Sequence, residues 1–248
     1  MAIRLNIKGS KLEFDDVTNN LYEDGTLLDR DARTVGEMKE VLLDKSFATE
    51  KNYNKQTYLM FRGAGTKKKK AIFESYSVRH DVTVMLDFDL GKEYNKTLGH
   101  YHPMAASGIS YPELYEVLQG KAMFVLQKRL PEEKYDVKLV KAFAGDKVFV
   151  PPDYGHVTVN IGKGLLILAN LVNSDFASDY EPFRRMRGAA VFYTSGKEVI
   201  LNQNYKEMAI TVNGKKEKIN YLDETKSIYD NFVKNPHGFG FLSKPELL

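Results

Sequence analysis

The sequence predicts an all-β protein, one barrel-like domain with an N-terminal and a C-terminal extension. Three observations point there. Between Ala71 and Val172, short runs of alternating hydrophobicity follow one another, each long enough for a strand. Glycines at 91, 108, 120, 145, 155, 162 and 164 punctuate them. The longest apolar stretch, Leu165 to Val172, is about eight residues and is interrupted by Asn170, far short of the ~20 that span a bilayer.

In chain order, residues 1–56 are polar and turn-rich and read as an extension packed on the barrel. They hold one predicted helix, roughly Thr34 to Asp44. Thr34 can cap it, Glu37 completes a capping box, and Val35, Met38, Val41 and Leu42 form one stripe. The barrel is assigned to residues 57–184. Its first apolar run is Tyr58–Arg62, followed by a loop from Gly63 to Lys70 whose four lysines are expected at a solvated hairpin tip. The alternating runs are Ile72–Val78, Val82–Phe88, Leu98–Pro103, Leu114–Lys128, Tyr135–Phe143, Lys147–Pro151, His156–Ile161 and Leu165–Val172. Residues 185–248 form the C-terminal extension. It should contribute strands at Ala190–Tyr193, Glu198–Leu201 and Ala209–Val212 and a short helix from about Asp223 to Val233.

Composition narrows the function. The 248 residues carry 36 basic and 33 acidic side chains, a net charge of +3 that argues against a dedicated nucleic-acid binder. Cysteine is absent, so disulfides and thiolate metal sites are excluded and any metal must take nitrogen and oxygen ligands. The first residues lack an apolar signal core, so a cytoplasmic protein without membrane contact is expected, and the sequon Asn95-Lys-Thr97 reads as accidental.

One constellation carries chemistry. His100 and His102 are two apart, so on a strand they share a face. Glu113 and His156 complete a set of three imidazoles and one carboxylate, suited to Fe(II) or Mn(II) first and to Ni(II) or Zn(II) as well. An octahedral ion there would keep two positions open for substrate. Tyr115 shares the face of Glu113, and Thr158 and Asn160 share that of His156. Gly120 and Gly145 read as hairpin turns that bring the two ligand-bearing segments into antiparallel reach. His80, among charged neighbours, is expected at the surface, His237 in a loop, and Glu116 facing solvent.

The pattern His100-x-His102, Glu113, Gly120, then Gly145, Pro151, His156 and Asn160 resembles the two motifs of the cupin superfamily. The finer wording Thr-Leu-Gly-His-Tyr-His, Pro-Glu-Leu-Tyr, Val-Pro-Pro-Asp-Tyr-Gly-His-Val-Thr-Val-Asn and Ser-Asp-Tyr180 is similar to the cupin-type glucose-6-phosphate isomerases of archaea, over roughly residues 72–181. The resemblance implies a jelly-roll (double-stranded β-helix) barrel, a homodimer and a sugar-phosphate substrate. It implies His100, His102, Glu113 and His156 as metal ligands and Tyr115 beside the metal. It places Thr83, Thr97 and Gly99 near the phosphate and Tyr180 near the sugar. Departures are Asp153 where cupins often carry glycine, a ten-residue gap between His102 and Glu113, Ser178 in place of the histidine of His-Asp-Tyr, and Phe73 where a second phosphate-site tyrosine would stand. Thr97 and Gly99 also have the opposite parity to the two histidines, which a bulge at Gly99 would reconcile.

Such a site would interconvert glucose 6-phosphate and fructose 6-phosphate. The metal would stabilise a cis-enediolate, and Glu113 first, Tyr115 second, would move the proton between C1 and C2. A metal-assisted hydride shift would need no base. Readings from other classes are a cupin oxygenase using the same ligands and a non-catalytic sugar-phosphate-binding protein.

Overall fold

The computed structural model describes residues 2–7, 10–175, 177–212, 219 and 222–248. The N-terminus is an antiparallel meander of four strands, β1 (Ala2–Ile7), β2 (Ser10–Asp15), β3 (Asn20–Glu23) and β4 (Thr26–Leu27). After β5 (Asp31–Thr34), the short helix α1 (Val35–Met38) starts on a complete capping box. Glu37 N–H donates to Thr34 Oγ1, and Thr34 N–H donates back to Glu37. A 3₁₀ turn, Lys39–Val41, ends the segment before the expected Asp44, although Val35, Met38, Val41 and Leu42 are all buried as the stripe required. Next come α2 (Glu50–Tyr53), β6 (Gln56–Phe61), α3 (Lys70–Ser75) and β7 (Val78–Met85).

The run Ile72–Val78, expected as a strand, is therefore helical through Ser75 and enters β7 only at Val78. Its apolar residues Ile72, Phe73 and Tyr76 fall on one helical stripe, which packs on the core. The lysines are exposed as expected, but they sit on a 3₁₀ turn leading into α3 and not on a hairpin.

The barrel follows: β8 (Glu113–Gln119), β9 (Lys121–Arg129), β10 (Lys134–Phe143), β11 (Lys147–Val150), β12 (Tyr154–Asn160) and β13 (Leu166–Asn173). After α4 (Glu181–Arg185) come β14 (Val191–Tyr193), β15 (Val199–Leu201) and β16 (Glu207–Val212). The chain then ends in α5 (Ile228–Lys234) and two 3₁₀ turns.

Two sheets face each other, in the orders β12-β9-β10-β16 and β11-β8-β13-β7-β6-β5. From β8 to β13 the chain changes sheet at every step except the β9–β10 hairpin, which is the jelly-roll connectivity. Gly120 and Gly145, both with positive φ, are thus corners where the chain changes sheet, not hairpin turns. At Gly120 a Cβ would lie 2.8 Å from the Leu165 carbonyl oxygen, so the corner admits no side chain.

Three apolar layers result. One fills the barrel between the sheets. A second lies outside the larger sheet, where the N-terminal meander and α5 cover it with Leu12, Phe14, Tyr229 and Phe232. A third lies outside the smaller sheet, beneath Phe183 and the segment from Ala189 to Tyr205.

These covers overturn two expectations. His80 projects from β7 away from the barrel, into the second layer. It is fully buried, with Nδ1 on the Ala64 carbonyl and its ring against Tyr229. Glu116 is buried beneath α5 and accepts from the Ile228 N–H at 2.8 Å. His237 lies in a 3₁₀ turn, exposed, against the Tyr76 hydroxyl. Asn95 is buried and donates to two carbonyls, those of Thr57 and Leu86, so its side chain is out of reach of a modifying enzyme.

Candidate active site

Residues 96–101 run along the free edge of β12. Lys96 bridges to Val159 and His100 to His156, so four steps on one segment match three on the other. The extra residue is a β-bulge at Gly99, φ +87°. It reverses the parity, and Thr97 and His100 look into the same cavity. Gly99 itself has no room for a side chain: a Cβ would stand 2.5 Å from Val157 and 2.7 Å from Phe183. It is not among the residues that line the cavity.

The cavity lies inside the barrel, with His156 on β12 facing Glu113 on β8 of the opposite sheet. His100 Nε2 is 3.2 Å from both His102 Nε2 and His156 Nε2, and Glu113 Oε2 is 3.3 Å from both of the latter. All four candidate ligand atoms lie within 4.8 Å of one another. Glu113 is held by Asn170, whose side-chain amide donates to Oε1 at 2.7 Å. His102 Nδ1 donates to the Tyr111 carbonyl at 2.7 Å, which leaves the lone pair on Nε2, the atom facing the cluster.

Burial, with the neighbouring imidazoles, pushes His100 well below its usual pKa, and burial brings His156 to about 4. Burial alone would raise Glu113, but the close approach of His102 and His156 to its carboxylate outweighs burial and holds it below the usual carboxylate range.

These groups fit a divalent cation. Glu113 Oε2 is buried without a hydrogen-bond partner among the described residues. Neutral imidazoles and a carboxylate turning lone pairs on one another repel unless a positive charge stands between them. Edges of 3.2–3.3 Å place a central ion roughly 2.0–2.3 Å from each donor, which brackets ordinary Zn–N and Zn–O bond lengths.

The other expected residues divide. Tyr115, Thr83, Thr97, Ser178 and Tyr180 all line the cavity. Phe73 does not: it packs in the outer layer against Phe232 at 4.7 Å, while Tyr58 adds a further tyrosine to the cavity wall. Asn160 does not reach the cluster. It closes the turn after β12, accepting from Gly162 N–H and donating to the Gly164 carbonyl. Asp153 has φ +67°, the conformation that explains glycine at this position elsewhere, and it pairs with Lys128 at 2.9 Å. The long gap between His102 and Glu113 folds as a small hairpin in which Met104 bridges to Ser110.

The sequence reading passed over Tyr58, Arg62, Arg79, Asp81 and Asn170, all of which line the cavity. The signal was available for Arg79 and Asp81: they share parity with Thr83 on β7.

The profile of the family "Glucose-6-phosphate isomerase (GPI)" matches residues 32–209, well over half of the chain. The chain belongs to the glucose-6-phosphate isomerase family. The matched region begins at β5, runs through the barrel and ends in β16, so it contains every residue of the cluster. The glucose-6-phosphate isomerase of Pyrococcus furiosus is 32% identical over 123 residues, 46% of this chain and 61% of that protein. The Thermococcus onnurineus enzyme is 29% identical over 144 residues, 54% of this chain and 72% of its own length. The chain thus spans about three fifths of the first of these family members and somewhat more of the second. Among solved structures, a variant oxalate decarboxylase of Bacillus subtilis superposes with a TM-score of 0.36 at 20% identity, covering 49% of this chain and 27% of that one.

Proposed function

We propose that the protein interconverts glucose 6-phosphate and fructose 6-phosphate with a divalent metal ion, Fe(II) or Mn(II) in the first place. The observation that carries this reading is the convergence of His100, His102, Glu113 and His156, with His100, Glu113 and His156 on the wall of a cavity that also presents Tyr115, Thr83, Thr97 and Tyr180. Family membership supplies the substrate class.

A cation held by the four groups supplies Lewis-acid stabilisation for negative charge developing on neighbouring oxygens. The chain's own groups do the rest. Glu113 is ionised, buried and fixed by Asn170, which suits it to take a proton from C2 and return it at C1 on one face of a cis-enediolate. Burial, with Glu113 beside it, pushes the Tyr115 phenol well above its usual pKa. At neutral pH it stays protonated and acts as a hydrogen-bond donor to a sugar oxygen, leaving Glu113 as the base. Thr83 and Thr97 offer hydroxyls to the substrate. Thr97 Oγ1 already accepts from the Thr158 N–H at 2.9 Å, so its own proton is free to point into the cavity. Ser178, in the wall near Tyr180, is too weak a base to stand in for an imidazole, which favours Glu113 as the proton carrier.

The test is an isomerase assay with fructose 6-phosphate on protein stripped by a chelator. Activity should vanish and return with Mn(II) or Fe(II). Full activity after exhaustive stripping would remove the metal from the mechanism. Oxygen uptake in place of isomerisation would favour an oxygenase.

A further inference from the structure

We propose that Arg79, held in place by Asp81 and backed by Arg62, is the charged group that recognises the phosphate of the substrate. This rests on the isomerase reading for the identity of the substrate, while the placement of the cation is a property of the cavity itself.

Arg79 and Asp81 project from β7 into the cavity that holds the four-group cluster. Asp81 is almost fully buried there. It receives both its oxygens' contacts from one atom, Arg79 Nε, at 2.9 and 2.8 Å, and it accepts a backbone hydrogen bond from Gly63 at 3.0 Å. Arg62 Nη1 approaches the same carboxylate at 3.7 Å and its Nε reaches Asp31 at 3.3 Å. Asp31 does not line the cavity, so on this stretch of its wall two guanidiniums face the single carboxylate of Asp81.

The arrangement also leaves donors unused. Arg79 spends only its Nε on Asp81, and its two terminal nitrogens have no hydrogen-bond or ion-pair partner among the described residues. The side chain is 23% exposed and lines the cavity. A guanidinium anchored through Nε presents its terminal nitrogens as a flat fork, the geometry that takes two phosphate oxygens at once. Thr83 and Thr97 can add hydroxyls, but they carry no charge to set against a dianion.

The position suits the far end of the substrate. Leu171 pairs with Leu114 on one side and His80 on the other, and Val172 pairs with Arg79. Arg79 therefore stands in the same row of the sheet as Glu113, two strands away, at a backbone separation of about 10 Å. A six-carbon chain with its reacting end at Glu113 can place a terminal phosphate within reach of the Arg79 fork.

Asp81 is a positioning residue in this account. Without its carboxylate the Arg79 fork loses its anchor and turns toward solvent.

The experiment uses the metal-loaded protein and two ligands, fructose 6-phosphate and unphosphorylated fructose, with calorimetric binding and steady-state kinetics. Arg79→Gln should weaken fructose 6-phosphate ~10- to 100-fold, as expected for loss of charged hydrogen bonds, with KM rising in step and fructose binding unchanged. Arg79→Lys should recover only part of the loss, because it keeps the charge and loses the fork. Asp81→Asn should raise KM more than it lowers kcat. If Asp81→Asn fails to fold, the two Arg79 variants still decide the matter. Unchanged fructose 6-phosphate affinity in Arg79→Gln, or equal losses for both ligands, overturns the proposal. Binding that depends on Arg79 in a protein that turns nothing over would uphold this assignment and defeat the isomerase reading. Turnover indifferent to Arg79 would do the reverse.

Discussion

Glu113 is the residue on which the proposed chemistry turns, because one oxygen is fixed by Asn170 and the other faces three imidazoles. Glu113→Gln keeps the shape and removes the charge. It should lower kcat by ~10²-fold or more, the usual loss when a general base goes, and weaken metal retention as read by atomic absorption after gel filtration. A variant that keeps its kcat would favour a hydride shift. His156→Ala should lose metal and turnover together. The four cluster residues were legible because each is a chemically marked residue type at strand spacing. Arg79 and Asp81 shared parity with Thr83, but charged residues on a strand usually face water, and that expectation hid the inward face of β7. His80 misled for the same reason on the other face, which the meander and α5 cover.

Among the elements, strands from β7 to β13 were readable because one or both faces are buried and the hydrophobic pattern records it. Partners were not readable: alternation reports which face a side chain takes and says nothing of which strand lies beside it. That is why Gly120 and Gly145 passed for hairpin turns. The meander β1 to β4 escaped notice because its strands are short and carry exposed charges such as Arg4, Lys11 and Glu13.

One buried contact ties the elements together. Lys96 Nζ donates to Glu93 and to the Val41 carbonyl, both at 2.7 Å, and lies 4.5 Å above the Phe192 ring, while Glu93 accepts from the Leu43 N–H. The 3₁₀ turn after α1, the barrel edge and β14 thus meet at a single ion pair. Glu93→Gln strands the Lys96 charge and should cost ~3–5 kcal/mol in urea unfolding. A loss under about 1 kcal/mol would mean that water reaches the pair.

At the scale of the molecule, three buried histidines set a pH limit. Burial holds His80 below its usual value, as it does His100 and His156. In the unfolded chain each takes a proton near 6.5. Below that pH the unfolded state binds more protons, so stability is complete above about 6.5 and falls as the pH drops toward the folded values, about 4 for His156. The slope approaches ~1.4 kcal/mol per pH unit for each imidazole. Metal-stripped protein should show a lower urea midpoint at pH 5 than at pH 7.5, and equal midpoints would mean that the rings are solvated. Among the described residues no helix is long and apolar enough to cross a membrane.

The late arrival of a central strand has a consequence in time. β13 sits in the middle of the larger sheet, between β8 and β7, and its last residue is Asn173. A nascent chain that has emerged only as far as β12 holds all four cluster residues but lacks the strand that seats Glu113, so it must wait, with its pairing edges bare, for the next residues to leave the ribosome. Pairings this distant along the chain make for slow folding, and the interval before β13 arrives is when the protein is most exposed to sticking to its neighbours.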